Sequence, residues 1–543
     1  MRALRLPLHP FPFALFPLLS LYARNSDTLA AYSLLAPMGI ALLVAALLLI
    51  GASLVLGDRS RGAAAASLII LSVFFYPTFS GALYLIWLPS DAMCLALYAI
   101  ALSAGLWLVA RTRRDLRPIT AALNAMALVA LATPLIGLAP TLWSETVAAE
   151  KPARIARNAS RASSTQSAPA GTMVDSPQPG LPDIYYIILD GYGRQDVLSE
   201  YCGLDNSAFI EFLDKHGFYV ASESRSNYAQ TYLSLASSLN QTYLDDVARR
   251  MGASSDDRQP LAEMIANNRA AAFLRDQGYT FISFATGYAA TEIPTADVYV
   301  EAPATLSEFQ YLLFDATPLA ALSRALVGGD IRYASHRRRI LHTLDSLGRP
   351  LAGRRPHFIF AHVVAPHPPF VFGVNGELPN WGELFSLRDG TEAVAAGQDE
   401  YVARYRQQLE FLNGKIMQAL DRILSTSPAP IVVLQSDHGP GSRWNEHDVS
   451  LSDHWERMSI LNAYFFPDRN YARLYSTITP VNTFRVIFAQ YLGEDTPLLA
   501  DRNYSSPWDY PYAFVDVSER QHGPTLAVPH GSIGQGESGE HHS

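Results

Sequence analysis

The feature that most restricts this chain is where its apolar residues fall. Five apolar stretches, approximately 10–23, 29–56, 63–88, 92–110 and 118–138, fill the first 145 residues, and no run of that length follows. A helix crosses the roughly 30 Å hydrocarbon core with about 20 apolar residues, so the last four stretches are long enough to cross. The first is shorter and carries Pro10, Pro12 and Pro17 behind Arg2 and Arg5, the make-up of either a fifth crossing or a signal peptide. The whole-chain figures, 49% hydrophobic with a formal charge of -9, therefore average over unlike halves. Residues 1–145 form a membrane block, expected to hold about five helices, and 182–518 have the mixed composition of a soluble domain long enough to bury a large core.

Arginines gather before the first stretch (Arg2, Arg5), between the second and third (Arg59, Arg61) and between the fourth and fifth (Arg111, Arg113, Arg114, Arg117). Such clusters stay cytoplasmic. Five crossings from an inside start, or four from an outside start after cleavage, both put the soluble half outside the cytoplasm. The expected location is a cell (plasma or inner) membrane, with several crossings and an extracytoplasmic catalytic domain. Residues 146–181, rich in Ala, Ser and Pro, read as a flexible linker, and 519–543 as a disordered tail despite His530, His541 and His542. Cys94 lies in an apolar stretch and Cys202 is alone in the soluble half, which excludes an internal disulfide and a thiolate metal cluster there. Without basic runs in that half there is no electrostatic reason to expect nucleic acid.

In the soluble half, continuous apolar runs at 184–189, 358–364 and 431–434 read as strands covered on both faces. Helical patterns at 208–215, 269–277, 401–424 and 481–492, the last with Thr479 as cap and Pro480 in its first turn, alternate with them. The expected fold is α/β, a doubly wound, mostly parallel sheet behind the transmembrane helices. Ligands of such sheets bind beyond the carboxyl ends of the strands, where Asp190, His367, Asp437 and His438 fall. Taken singly, each has an ordinary reading. Asp190-Gly191 and Asp437-His438-Gly439 make turns, His367 is a loop residue between prolines, and Thr231 caps a helix.

Their order changes the weight. The stretch 182–492 resembles the alkaline phosphatase and sulfatase superfamily, most closely its lipoteichoic acid synthase and phosphoethanolamine transferase branch. The resemblance rests on Pro182-Asp-Ile-Tyr-Tyr-Ile-Ile-Leu-Asp-Gly191, Asn227-Tyr-Ala-Gln-Thr-Tyr-Leu-Ser-Leu-Ala-Ser-Ser-Leu239, Ala365-Pro-His-Pro-Pro-Phe370 and Val432-Val-Leu-Gln-Ser-Asp-His-Gly439. It implies the fold of that superfamily, a divalent metal held by Asp190, Thr231, Asp437 and His438, and Thr231 as nucleophile. It also implies substrate contacts from His367 and from one of two later histidines, His454 being preferred to His447. Two carboxylates, an imidazole and a hydroxyl suit zinc or manganese, and magnesium or calcium less well because of the nitrogen. A threonine hydroxyl needs a cation to stabilise its alkoxide, and a helix start adds a favourable dipole.

Sulfatases of this kind convert a cysteine or serine in Cys-x-Pro-x-Arg to formylglycine, whereas Thr231-Tyr-Leu-Ser-Leu235 offers nothing to convert. The reading is thus a phosphoryl-group transferase or phosphodiesterase that forms a phosphothreonine and acts on envelope lipid head groups or glycans. A sulfuric ester hydrolase and a non-catalytic envelope protein are the alternatives. No counterpart of a second-metal aspartate is evident at 361–369, which favours one metal. Trp381, Arg443 and Trp444 lie in polar loops where they could grip an anionic head group.

Overall fold

The computed structural model describes residues 6–138 and 180–519, apart from 27, 28, 30, 87, 88, 113, 328, 354, 380–384, 391–393, 395, 396 and 427. The expected linker, except for Gly180 and Leu181, and the expected tail after Glu519 lie outside the described residues, as does Trp381. Among the described residues four helices are long and apolar enough to cross a membrane: α2 (Leu35–Leu56), α3 (Arg59–Ile86), α4 (Asp91–Arg111) and α5 (Arg117–Leu138). The expected fifth crossing is α1 (Pro10–Ala23), whose 14 residues span about 21 Å. It falls short of a bilayer because Pro10 starts it. It nevertheless runs beside α5 within the bundle: the Leu8 and His9 amides donate to Asn124 Oδ1 (3.2 and 2.7 Å), and Leu19 and Tyr22 cluster with Leu138. Asn124 thereby satisfies backbone groups that hydrocarbon would leave bare.

The soluble half holds a seven-stranded sheet of order β2-β7-β6-β1-β5-β3-β4. Its strands are β1 (Ile184–Leu189), β2 (Tyr219–Val220), β3 (Thr280–Phe284), β4 (Val298–Val300), β5 (His357–Val363), β6 (Ile431–Gln435) and β7 (Asn462–Phe465). β1 pairs in parallel with β5 on one side and β6 on the other, β3 and β4 continue in parallel, and at the other edge β7 alone runs reversed, antiparallel to both β6 and the short edge strand β2. The doubly wound, mostly parallel sheet expected from the apolar runs is the one found.

Each central strand is buried on both faces, which is why the runs read as unbroken apolar sequence. Tyr185, Ile187 and Leu189 face a core shared with α6 (Gln195–Cys202), α7 (Ser207–His216), α14 (Ile331–Ser346) and α15 (Gln398–Leu424). Ile184, Tyr186 and Ile188 face the core of α8 (Thr231–Asn240), α9 (Asp245–Met251), α10 (Gln259–Ala266), α11 (Arg269–Asp276) and α17 (Thr483–Tyr491). Further helices are α12 (Glu308–Asp315), α13 (Leu319–Val327) and α16 (His454–Met458). The helix expected at 481–492 is divided into a 3-10 turn over Pro480–Asn482 and α17, and Thr479 does not cap it because its hydroxyl donates to Asp501 Oδ1 at 2.8 Å.

Asp183 fixes where the three central strands start. Its carboxylate accepts the His357 amide (2.8 Å) that opens β5, and its carbonyl accepts the Ile431 amide (2.8 Å) that opens β6. Replacing Asp183 by Ala leaves a buried N–H without its acceptor. Unfolding by denaturant should then show a loss of about 1–3 kcal/mol, with Asp183→Asn, which keeps an acceptor, losing distinctly less.

Candidate active site

Three adjacent strands deliver polar residues to one rim. Asp190 directly follows β1, and its amide still donates to Val363 O (3.0 Å), so the ladder itself holds the residue. Gly191 then turns with a φ of +76°, a conformation glycine adopts readily. Its amide donates to Asp437 Oδ1 at 3.3 Å, tying the end of β1 to the end of β6. Beyond β5, the Asp190 carbonyl accepts the His367 amide (2.9 Å), while Gln408 Nε2 donates to the carbonyls of Pro366 (3.0 Å) and His367 (3.2 Å) and pins the proline-rich loop.

Thr231 is the first residue of α8, and Gln230, in extended conformation, takes the cap position without a side-chain cap bond. The threonine hydroxyl therefore does no capping. It lies 3.3 Å from His438 Nε2, at the positive end of a helix whose residues 231–239 are all buried. His438 Nδ1 faces the Gly439 carbonyl at 2.9 Å and must donate to it, which leaves the Nε2 lone pair turned inward. Burial, reinforced by the Arg457 guanidinium, lowers the His438 pKa to about 4, so the ring is neutral at physiological pH.

Around that lone pair stand Asp190 Oδ1 (3.4 Å), Asp437 Oδ2 (3.5 Å) and Arg457 Nη2 (3.2 Å). His362, inside β5, reaches Asp190 Oδ2 with its Nε2 at 3.2 Å. Asp190 Oδ1, Asp437 Oδ2 and His362 Nε2 are all buried, and none has a hydrogen-bond partner among the described residues. Two overlapping sets, Asp190 with His367 and His438, and Asp190 with His362 and Asp437, bring their ligand atoms within 4.8 Å of one another. Facing, desolvated carboxylate oxygens beside an imidazole lone pair are the donor set of a divalent cation.

His367 meets the same group from the other side, its Nε2 lying 3.6 Å from Asp389 Oδ2. Burial alone would lower its pKa, but the charges of Asp190 and Asp389 and the Pro368 carbonyl raise it above the ordinary value. Asp389 is buried as well. Desolvation opposes its charge, yet Arg457, His367 and His438 hold its carboxyl far below the usual range. Arg457 is fixed by the Ala229 carbonyl (2.9 Å) and by an ion pair with Asp389, and its guanidinium stacks 4.9 Å over Trp444.

Asp190, Thr231, His367, His438, Asp389 and Arg457 line one cavity, walled by Tyr288, Tyr311, Phe385, Trp444 and Trp508 and rimmed by Glu308, Asp315, Arg332, Arg388 and Glu446. Five of the sequence candidates, Asp190, Thr231, His367, Asp437 and His438, are thus brought together. His454 is not: it opens α16 with Nε2 on the Val449 carbonyl (3.0 Å) and does not line the cavity. His447 is half-exposed beside Asp509 (2.9 Å), and Arg443 stacks on Tyr201 and pairs with Asp453 outside it. Of the candidate head-group residues among those described, only Trp444 faces the cavity. His362, Asp389 and Arg457 escaped the sequence reading. His362 alone left a signal there, as the one ionisable side chain within an otherwise apolar run, 358–364.

No family model and no curated protein matches the sequence. Among solved structures the chain is similar to the C-terminal periplasmic domain of EptC from Escherichia coli, at 10% identity and a TM-score of 0.40 over 65% of this chain and 96% of that one. It is similar to the periplasmic domain of the phosphoethanolamine transferase EptC from Campylobacter jejuni, at 11% and 0.35 over 57% and 90%. A putative sulfatase from Bacteroides thetaiotaomicron is similar at 13% and 0.34 over 61% and 74%.

Gly439 tests the geometry. A Cβ there would lie 2.1 Å from the Glu456 carbonyl oxygen and 2.9 Å from that of Ser459, backbone atoms that cannot swing aside. Gly439→Ala should displace His438 and weaken divalent-metal binding by about 10- to 100-fold in equilibrium dialysis. Gly414→Ala, on α15 with open space around it, should leave binding unchanged.

Proposed function

We propose that this protein is a membrane-anchored, metal-dependent phosphoryl-group transferase or phosphodiesterase with Thr231 as nucleophile, acting outside the cytoplasm on envelope lipid head groups or glycans. The observation that carries the reading is the threonine hydroxyl at 3.3 Å from the neutral His438 nitrogen, beside carboxylate oxygens of Asp190 and Asp437 that lack hydrogen bonds. Asp190, Thr231, Asp437 and His438 would hold one divalent ion, with zinc or manganese favoured by the mixed oxygen and nitrogen donors, and His362 is a further candidate ligand. Such an ion supplies charge stabilisation to a threonine alkoxide and to the phosphoryl oxygens.

The chain's own groups do the rest. Thr231 Oγ1, at the start of α8, forms a bond to phosphorus as the bond to the leaving alcohol breaks, and its proton ends on that alcohol. Water or an acceptor hydroxyl then takes the phosphoryl group and returns a proton to Thr231. His367, whose pKa the charges of Asp190 and Asp389 raise against the effect of burial, turns its Nε2 towards the place of a phosphoryl oxygen, to which its protonated form would donate. Arg457, locked by Asp389 and the Ala229 carbonyl, presents a fixed positive charge to the same anion without losing side-chain freedom at the moment of reaction.

Threonine, which cannot be converted to formylglycine, supports phosphoryl rather than sulfuryl chemistry. The orientation is supported by the side of the bundle that meets the soluble half: Tyr22, Leu29, Leu34 and Leu138 share a buried cluster with Phe309, and Asp91 pairs with Arg324. All lie at the ends opposite the arginine clusters.

Thr231→Ala should abolish hydrolysis of a phosphodiester such as bis-p-nitrophenyl phosphate, together with acid-trapped phospho-enzyme. Turnover retained by that variant would remove Thr231 from the chemistry, and a wild-type preference for sulfate esters would overturn the phosphoryl reading. Chelation should abolish wild-type turnover, with zinc or manganese restoring it.

A further inference from the structure

Helix α13 (Leu319–Val327) belongs in sequence to the catalytic domain but packs on the spanning helices. Ala321 is buried in a cluster with Tyr76 of α3 and Cys94 of α4, and Arg324 Nε meets Asp91 Oδ2 at 2.7 Å. Cys94 lies one turn inside α4, so α13 sits alongside the last turns of the spanning helices rather than above them. Its buried side is small, with Ala320 and Ala321.

The opposite side is bare. Leu319, Leu322 and Leu326, spaced i, i+3 and i+7, share one stripe of the helix and are 51%, 40% and 75% exposed. A soluble domain does not leave such a stripe in water. The spanning helices next to it show the same character at the same level, where Leu85 and Ile86 end α3 and Met93 begins α4, all exposed. Exposed apolar side chains at these helix ends and the leucine stripe of α13 thus lie on elements packed against one another. Helix α12 (Glu308–Asp315), just before it, has two faces: Phe309 packs edge-on against Tyr22 of α1, while Tyr311 and Leu312 line the active-site cavity.

We infer that α13 is an interfacial helix whose leucine stripe is buried in the extracytoplasmic leaflet, holding the catalytic domain against the bilayer. The occupant of this face is lipid. The inference rests on the membrane reading of α2–α5 and not on the identity of the reaction. It gives the domain a second hold on the membrane besides the chain connection, and it fixes the wall formed by α12 between the cavity and the bundle.

The test uses the full chain in proteoliposomes. Both native cysteines, Cys94 and Cys202, are buried, so an environment-sensitive fluorophore can be placed on Leu326→Cys, with Val515→Cys on an exposed strand of the catalytic domain as the reference. At position 326 the emission should shift to the blue, and nitroxide-labelled phospholipid should quench it at least about twofold more than at 515. Equal, water-like emission and equal quenching at the two positions would overturn the proposal. A blue shift without quenching would also overturn it, since a protein partner or a second copy would then be the occupant. Leu319→Cys on the same stripe repeats the measurement if the label at 326 disturbs α13. Neither metal nor substrate enters the readout, so a failure here and a failure of the phosphoryl-transfer reading are separate results.

Discussion

Two carboxylates, Asp190 and Asp437, are buried side by side at the rim of the sheet, and each keeps an oxygen without a hydrogen bond among the described residues. Removing one carboxylate from water costs several kcal/mol, and a second beside it adds like-charge repulsion. The fold imposes this arrangement because β1 lies between β5 and β6, so that three consecutive strand ends share one edge. Gly191 and the Asp437 carboxylate lock two of those ends together, and the Asp190 carbonyl holds the third through His367. A divalent cation between them would resolve the repulsion, and the Thr231 hydroxyl stands beside that position, 3.3 Å from His438 Nε2.

Much of this scaffold is written plainly in the amino-acid order. Strands buried on both faces leave unbroken apolar runs, and the one at 184–189 matches β1 residue for residue. The aspartates and histidines directly after those runs were legible because a parallel sheet concentrates its chemistry at strand ends. Asp389 and Arg457 were not, since they arrive from a loop and a short helix whose paths depend on tertiary contacts rather than on periodicity. The same reason misdirected the expectation for His454: its spacing from His438 is favourable, but α16 turns the ring onto the Val449 carbonyl. In the membrane block hydropathy located the helices. It also showed the first stretch, 10–23, to be shorter than the rest, as α1 is, but it could not show that Asn124 of α5 accepts the Leu8 and His9 amides at the start of α1.

The electrostatics of the cavity separate into two layers. At the floor, a neutral His438 and two carboxylates suit a cation, whereas the Arg457 guanidinium and the His367 ring, each beside Asp389, suit an anion. A phosphate ester needs both, a metal for the attacking oxygen and fixed donors for its equatorial oxygens. At the rim, Arg332 is matched by Asp315 and Asp330, and Arg388 by Glu446, so these arginines hold the walls together. The contacts of α12 and α13 with the apolar helices set this cavity beside the bundle.

The central claim is that one cation joins the ends of β1 and β6 to the hydroxyl of Thr231. Anomalous diffraction at the zinc edge, from crystals of the zinc-loaded protein, addresses it most directly. A single strong peak about 2.0–2.3 Å from oxygens of Asp190, Asp437 and Thr231 and from Nε2 of His438 is the expected result. No peak between those residues, or one with Thr231 turned away from it, would contradict a metal-activated threonine.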